Sequence, residues 1–461
     1  MSRWHPATGI FYSRKVDNMK TNGLLLIFFI LPVSIFAQTS WNLKACIDFG
    51  LKNNRNRVIY LNQKKAADAK AKEALAAYLP SVSLSTTLDD NIKAQEVVIP
   101  AGLLSPTDIK VTLTKQYNTG ATAQLDQTIF DQSLLVGLKA RKYNEQQADL
   151  NIEQSEETII YNVATAYYQI LVYREQLSLL KADQETYRRQ MELLGLQVAK
   201  GTKLQRDLDK LKVDYNNTVS RIRGSETDIT LSENQLKFEM GYPINSGLTV
   251  DSIDITQTPG YADSSLANGK SYASRVDYRM AQINVQLYQI EQRRIKAGIY
   301  PKLTAYAKYG AVGFGDNISQ SYGTLYPLSV VGFKLNIPVF DFYKRNAQYK
   351  QAQINTMNAQ ETLQLDEEKY RLEYENARAK LLKEQTNMEE NRRNIDLARS
   401  VFEVTNLQYQ KGTTDLTDWI NAQNSIKEAQ SNYLNSLYNF LLSRVDLEKA
   451  NGTLKNFYHT L

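Results

Sequence analysis

Few residues of this 461-residue chain are equipped for covalent or acid–base chemistry. The two histidines, His5 and His459, stand at the chain extremes, which argues against a catalytic triad or a histidine metal cluster. Cys46 is the single cysteine, so one chain has no disulfide and no cysteine-rich zinc or iron–sulfur site. Gly310, Gly313 and Gly315 fall where a strand runs into a loop, not before a helix, and do not meet the dinucleotide-binding context. With no P-loop either, an enzyme is not expected, nor a cofactor or metal. What remains is the chemistry of turns and polar contacts. Lys200-Gly201-Thr202 recurs as Lys411-Gly412-Thr413, and six residues after each glycine stands an aspartate, Asp207 or Asp418. A glycine there permits a tight turn and also lets another backbone approach closely. The aspartates are either ordinary solvated helix residues or part of a polar site beside the turn.

The elements that hold these turns are themselves written twice. At the same offset of 211 residues Leu196-Gln197 meets Leu407-Gln408, and Gly241 meets Gly452. Upstream, Ile129-Phe130-Asp131 answers Val339-Phe340-Asp341, and Ala76 with Pro80 answers Ala297 with Pro301. Order is kept while the spacers change length, as two copies of one unit require. Steps of four and three from Ile159 through Val163, Ala166, Ile170 and Tyr173 to Val198 trace a heptad seam, and the seam reappears from Tyr370 to Tyr409. From Asp131 to Lys200 and from Asp341 to Lys411 no proline interrupts the chain. Seventy helical residues extend about 105 Å, far more than a globular domain needs. Each copy then returns as a second helix, ending at Gly241-Tyr242-Pro243 or Asn451-Gly452.

Before each long helix the period changes to two. Val82, Leu84, Thr86 and Leu88 alternate with Ser81, Ser83, Ser85 and Thr87, and Leu303, Ala305, Ala307 and Tyr309 alternate with Lys302, Thr304, Tyr306 and Lys308. The returning strands read Ala121, Ala123, Leu125 with Ile129, and Val331, Phe333, Leu335, Ile337 with Val339. Loops are expected at Asn91 to Asn118 and at Gly315 to Pro327. Four strands are too few to close a membrane barrel, whereas three chains supply twelve.

At the N-terminus, Lys20, the apolar run Leu24 to Phe36 and Ala37 read as a secretory signal peptide over residues 1–37. Met19-Lys20 is a conventional start, so residues 1–18 suggest an upstream start assignment. Cleavage after Ala37 removes Arg3, Arg14, Lys15, Lys20 and Asp17, lowering the formal charge from +6 to +3. So even a balance gives no electrostatic case for nucleic-acid binding. Cys46 has two readings, helix packing near the mature N-terminus or a poorly fitting lipoprotein cleavage box, and packing is preferred.

Taken together, the signal peptide, the doubled unit of helix, strand pair and helical hairpin, and the glycine turn with its aspartate resemble the TolC family of outer-membrane efflux proteins. The stretch Trp41 to Asn54 resembles the family's opening helix, and Tyr409 to Gln423 its most recognisable segment. The resemblance implies a mainly α fold with a β-barrel portion: two repeats, residues 38–273 with an equatorial insertion and 274–461, forming a trimeric twelve-stranded barrel and an α-helical periplasmic tunnel. It implies a passive conduit in the outer membrane. A periplasmic adaptor protein would dock at the tips, Gly201, Thr202, Gly412 and Thr413, and an inner-membrane transporter of RND, ABC or MFS type would supply energy. Val331, Phe333, Leu335, Ile337 and Val339 would face outer-membrane lipid. Asp207 and Tyr409 correspond to a linked pair that closes family tunnels. The family's arginine near the second turn is Thr414 here, while Arg206 stands before Asp207. The acidic ring of the tunnel mouth corresponds to Asp418 and Asn421, so one ring position lacks its charge. The competing reading is a periplasmic coiled-coil adaptor or scaffold that conducts nothing; the strand pairs at matching places in both copies speak against it.

Overall fold

A computed structural model describes residues 41–102, 106–112, 114–251 and 272–461. The signal peptide over residues 1–37 and part of the insertion lie outside the described residues. The first copy runs α1 (Leu43–Asn53), α2 (Arg55–Ala76), β1 (Ser81–Asp90), β2 (Glu96–Ile99), β3 (Ile109–Thr112), β4 (Tyr117–Phe130), α3 (Gln132–Leu138), α4 (Ala140–Ala199) and α5 (Gln205–Met240). The second runs α6 (Val276–Ala297), β5 (Lys302–Gly315), α7 (Ile318–Gly323), β6 (Leu325–Asn336), α8 (Lys344–Gln410) and α9 (Leu416–Asn451), and α10 (Leu454–Thr460) closes the chain.

The heptad seams do what their spacing requires. Along α4, Ile159, Val163, Ile170, Tyr187 and Leu194 are buried, and no seam position from Ile159 to Val198 is exposed. The same holds for Tyr370 to Tyr409 in α8. At 60 and 67 residues these helices are about 90 and 100 Å long. Each pairs with its successor, α4 with α5 and α8 with α9, in a long antiparallel hairpin. The main core joins α1, α4, α5, α9 and α10 around Ile47, Tyr167, Leu236, Met240, Phe440 and Phe457. Cys46 is fully buried there, and burial, then the Asp251 carboxylate, pushes its thiol up to about 12. It packs, as the helix reading expects.

The four long strands form one antiparallel sheet in the order β1-β4-β5-β6. Its register sorts the alternation into two faces. Val82, Leu125, Ala307 and Val331 form one cross-strand row, and the next row is Ser83, Gln124, Lys308 and Val330. Val331 and Phe333 are 83% and 73% exposed, an apolar surface that none of the described residues covers. The sequence expectation overran the last strand. β6 stops at Asn336, which faces Lys302, the first residue of β5 after Pro301, so Ile337 and Val339 have no strand to pair with and continue beyond it, still exposed. The loop expected from Asn91 to Asn118 holds a small antiparallel hairpin, β2 with β3. The one expected from Gly315 to Pro327 holds α7, and β6 already begins at Leu325.

Gly241 and Gly452 end α5 and α9 in the left-handed conformation, with φ of 69° and 70°. At Gly241 a second constraint applies: a Cβ would lie 2.6 Å from the Asn53 carbonyl oxygen, where Asn54 Nδ2 donates to Glu239 O over 2.6 Å. Gly201 has the same φ sign, 73°, but open space around it. Gly201→Ala should therefore lose only the backbone cost, about 1–2 kcal/mol. Gly241→Ala should lose clearly more, because two backbones would have to part. Denaturation followed by circular dichroism should rank them in that order; equal losses would mean that the α5 end does not dock against α1.

Candidate functional site

The two hairpin turns are built alike from their residues up. In the first, Thr202 N–H donates to Gln197 O over 3.0 Å and Gly201 N–H to Val198 O over 2.9 Å; in the second, Thr413 donates to Gln408 O and Gly412 to Tyr409 O over 2.9 and 3.0 Å. Left-handed glycines, with φ of 73° and 75°, make these bonds possible. Each threonine hydroxyl repeats the bond of its own backbone, Thr202 Oγ1 to Gln197 O and Thr413 Oγ1 to Gln408 O. All four residues are exposed, and no atom stands within 4 Å of where a Cβ would be on either glycine.

The turns diverge at the start of the return helix. Asp415 caps α9, its carboxylate accepting from Asp418 N–H over 2.9 Å, and Thr414 Oγ1 donates to Asp418 Oδ2 over 2.6 Å. Thr414 thus holds Asp418 within its own turn. Asp418 and Asn421 are exposed three residues apart on one helix face. At the first turn Leu204 stands in the capping position and gives no side-chain cap. Asp207 occupies the first turn of α5, favourably placed in the helix dipole, with Arg206 Nε 3.6 Å from Oδ1. Tyr409 is buried, and no hydrogen bond joins it to Asp207 within the chain. Burial raises its phenol pKa, and the Asp207 charge adds to the shift.

What binds the two tips together is a residue the sequence did not single out for a role. Trp419 of α9 is fully buried, with ring centroids 5.8 Å from Tyr187 on α4, 5.9 Å from Phe402 and 6.3 Å from Tyr409 on α8. Its indole N–H donates to Asn406 Oδ1 over 2.8 Å. Higher on the hairpins, Asp183 of α4 is 7% exposed and accepts from Gln423 Nε2 of α9 over 2.9 Å. Lys427 Nζ lies 3.4 Å from Tyr187 Oη and 5.2 Å from its ring centroid. Burial raises the Asp183 carboxyl to about 6, against the lowering effect of Lys427, Gln423 and Arg221. The same burial lowers the pKa of Lys427. Asp183 and Arg221 line a groove of about 610 Å³ between α4, α5 and α9. Asp183 lies beside the heptad seam and faces a second neighbour, so one-helix periodicity carries no signal for it.

Among the described residues, no group of His, Cys, Asp and Glu can hold a metal ion, and no helix is long and apolar enough to cross a membrane. The family model described as outer membrane efflux protein matches residues 61–241 and 269–453. The chain belongs to the outer membrane efflux protein family. Each matched block contains one of the two hairpins. Outer membrane protein TolC of Escherichia coli K12 is 24% identical over 350 residues, 73% of this chain and 70% of that protein. Outer membrane protein TolC of Vibrio cholerae is 21% identical over 437 residues, 94% and 95% of the two chains. The crystal structure of outer membrane protein VceC from Vibrio cholerae matches with a TM-score of 0.68 at 16% identity, covering 89% of this chain and 96% of that one. This outer membrane efflux protein is an exit duct for efflux or secretion, extending from the outer membrane into the periplasm.

Two outcomes follow from the joint between hairpins. Trp419→Ala empties a filled site and should cost about 3–5 kcal/mol, read as a lower unfolding midpoint and as proteolysis near the tips. Asp183 binds its proton more tightly when folded than its ordinary carboxyl value allows. Its contribution, on the order of 3 kcal/mol, therefore favours the fold at low pH and is lost as pH rises from about 4 through about 6. Asp183→Asn should flatten the pH dependence of the melting temperature in that window; an unchanged profile would remove Asp183 as its source.

Proposed function

We propose that three copies of this chain close their sheets into one twelve-stranded barrel and bundle their hairpins into a periplasmic tunnel. The observation that carries this reading is the four-stranded sheet with an apolar face and two edges, β1 and β6, that pair with no other strand among the described residues, on hairpins about 100 Å long. An open sheet edge is not tolerated in hydrocarbon, and pairing β6 of one copy with β1 of the next removes every edge. Val331, Phe333 and Leu335 then meet lipid, while Lys308, Gln124 and Thr304 line water. The first copy is taken as residues 38–273 after removal of a signal peptide over 1–37, and the second as 274–461.

A duct of this kind does no work on its cargo. We assign the energy to an inner-membrane transporter of RND, ABC or MFS type, and its coupling to a periplasmic adaptor protein docked on Gly201, Thr202, Gly412 and Thr413. The open space beside both glycines supports this, since an approaching backbone meets no side chain. Asp207, Arg206 and Tyr409 are assigned to the closure of the tunnel, and Asp418 with Asn421 to its mouth, where three carboxylates would favour cations. Because Thr414 engages Asp418 within one chain, the contact that closes the mouth would run through Arg206 and Asp207.

Heat-resistant trimers in purified outer membranes are the expected state, and a soluble monomer released by osmotic shock would sink the assembly. Asp207→Ala with Tyr409→Phe should raise single-channel conductance in planar bilayers severalfold; unchanged conductance would remove both from the closure. Gly412→Trp should abolish export while trimers persist, and normal export would speak against a tip contact.

A further inference from the structure

The end of β6 leads into a segment that the first copy does not match. In the first copy Ile129-Phe130-Asp131 passes directly into α3, with Asp131 accepting from Leu134 N–H over 3.1 Å. In the second, Val339-Phe340-Asp341 is followed by Phe342 and Tyr343, both left-handed, with φ of 48° and 65°. Two consecutive bulky residues in that region are costly, and such strain persists where the outcome is useful. Here it turns aromatic rings outward. Phe340, Phe342 and Tyr343 are all largely exposed, and the Phe340 and Phe342 ring centroids stand 4.7 Å apart.

Behind this strap, between the end of α6 and the start of α8, lies a cavity of about 550 Å³. Its walls are mostly apolar, from Ile299, Val339, Phe340 and Tyr343, with Lys296 and Arg345 at its polar side. Asp341 also lines it and pairs with Arg345 over 2.9 Å. The neighbouring cations Arg294 and Lys302 are engaged by Glu291 and Asp131, and Lys296 takes part in none of these ion pairs. The cavity continues the exposed apolar stripe of Val331, Phe333, Leu335, Ile337 and Val339. An apolar wall with rings and a cation at the rim of a membrane face is the chemistry of the lipid interface.

We propose that this cavity binds one phospholipid of the periplasmic leaflet, with an acyl chain along Ile299, Val339 and Phe340 and the phosphate at Lys296. The inference rests on the outer-membrane duct reading, since only that reading brings the end of β6 to a lipid surface. A phosphate beside a lysine gains a charge-assisted hydrogen bond, and the Arg345–Asp341 pair leaves the arginine's remaining donors for it. Tyr343 and Phe340 shield the upper acyl chain.

The test uses the delipidated full-length assembly in detergent, titrated with dioleoylphosphatidylglycerol and followed by native mass spectrometry, with bilayer conductance measured on the same preparation. Saturable uptake of one lipid per chain is expected, weakened about fivefold by Lys296→Glu. Tyr343→Gly relieves the backbone strain, so it should keep or raise thermal stability while weakening lipid retention. Conducting protein with no saturable uptake, as when a neighbouring copy covers the cavity, overturns the lipid site and leaves the duct intact. Equal retention by wild type, Lys296→Glu and Tyr343→Gly does the same. Protein that neither trimerises nor conducts removes the duct reading, and the lipid site with it.

Discussion

A strand in hydrocarbon has no water to satisfy its backbone, and each unpaired N–H or C=O there costs several kcal/mol, about as much as a good hydrogen bond is worth. The sheet of this chain ends in β1 on one side and β6 on the other, and among the described residues neither edge pairs with another strand. The described residues hold no further long strand to offer, so in the proposed barrel the partner comes from another copy. Everything beneath the sheet inherits that requirement. The strands end at Pro80, Pro301 and Pro338 or run directly into helices, so the helices must leave the sheet in parallel. Helices leaving in parallel with narrow apolar seams pack as hairpins, and hairpins of this length need wet surfaces on most of their circumference.

The two copies share this plan and differ where they are given different duties. Leu204 begins α5 without a side-chain cap, while Asp415 caps α9 and, with Thr414, fixes Asp418. The second turn is thus the more tightly ordered of the two. At the other end the roles reverse: Asp131 makes an unstrained start to α3, and Phe342 with Tyr343 makes a strained approach to α8. Duplication supplied the frame, and single side chains at its ends made the halves unequal.

Much of this was legible in the sequence because it depends on local repetition. A seam of steps four and three, a glycine after it and an aspartate six residues on fix a helix, its end and its return, and every seam position proved sheltered. Alternation named both sheet faces before the register was known. The overrun past Asn336 arose because Ile337 and Val339 kept the alternation while the partner strand β5 reaches only Lys302, opposite Asn336. Asp183 and Trp419 were not legible as a joint: each acts through a partner on a distant segment, Gln423 for one and Tyr187 for the other. No periodicity within one helix reports a contact between residues 240 positions apart.

The distribution of buried side chains along the hairpins sets where they can part. Around Tyr167, Ile170, Leu437 and Phe440 the packing is mainly apolar, and separating it would expose large surfaces to water. Toward the tips the packing becomes an aromatic knot around Trp419, and between the two lies the Asp183, Gln423 and Lys427 contact beside its groove of about 610 Å³. Asp183 lies 18 residues before Gly201, about 27 Å up the helix. Breaking hydrogen bonds beside an existing groove is offset by hydration, whereas breaking an apolar core is not. Of the three zones, this polar joint is therefore the one where separating the hairpins costs least, with the larger apolar core on one side and the Trp419 knot on the other.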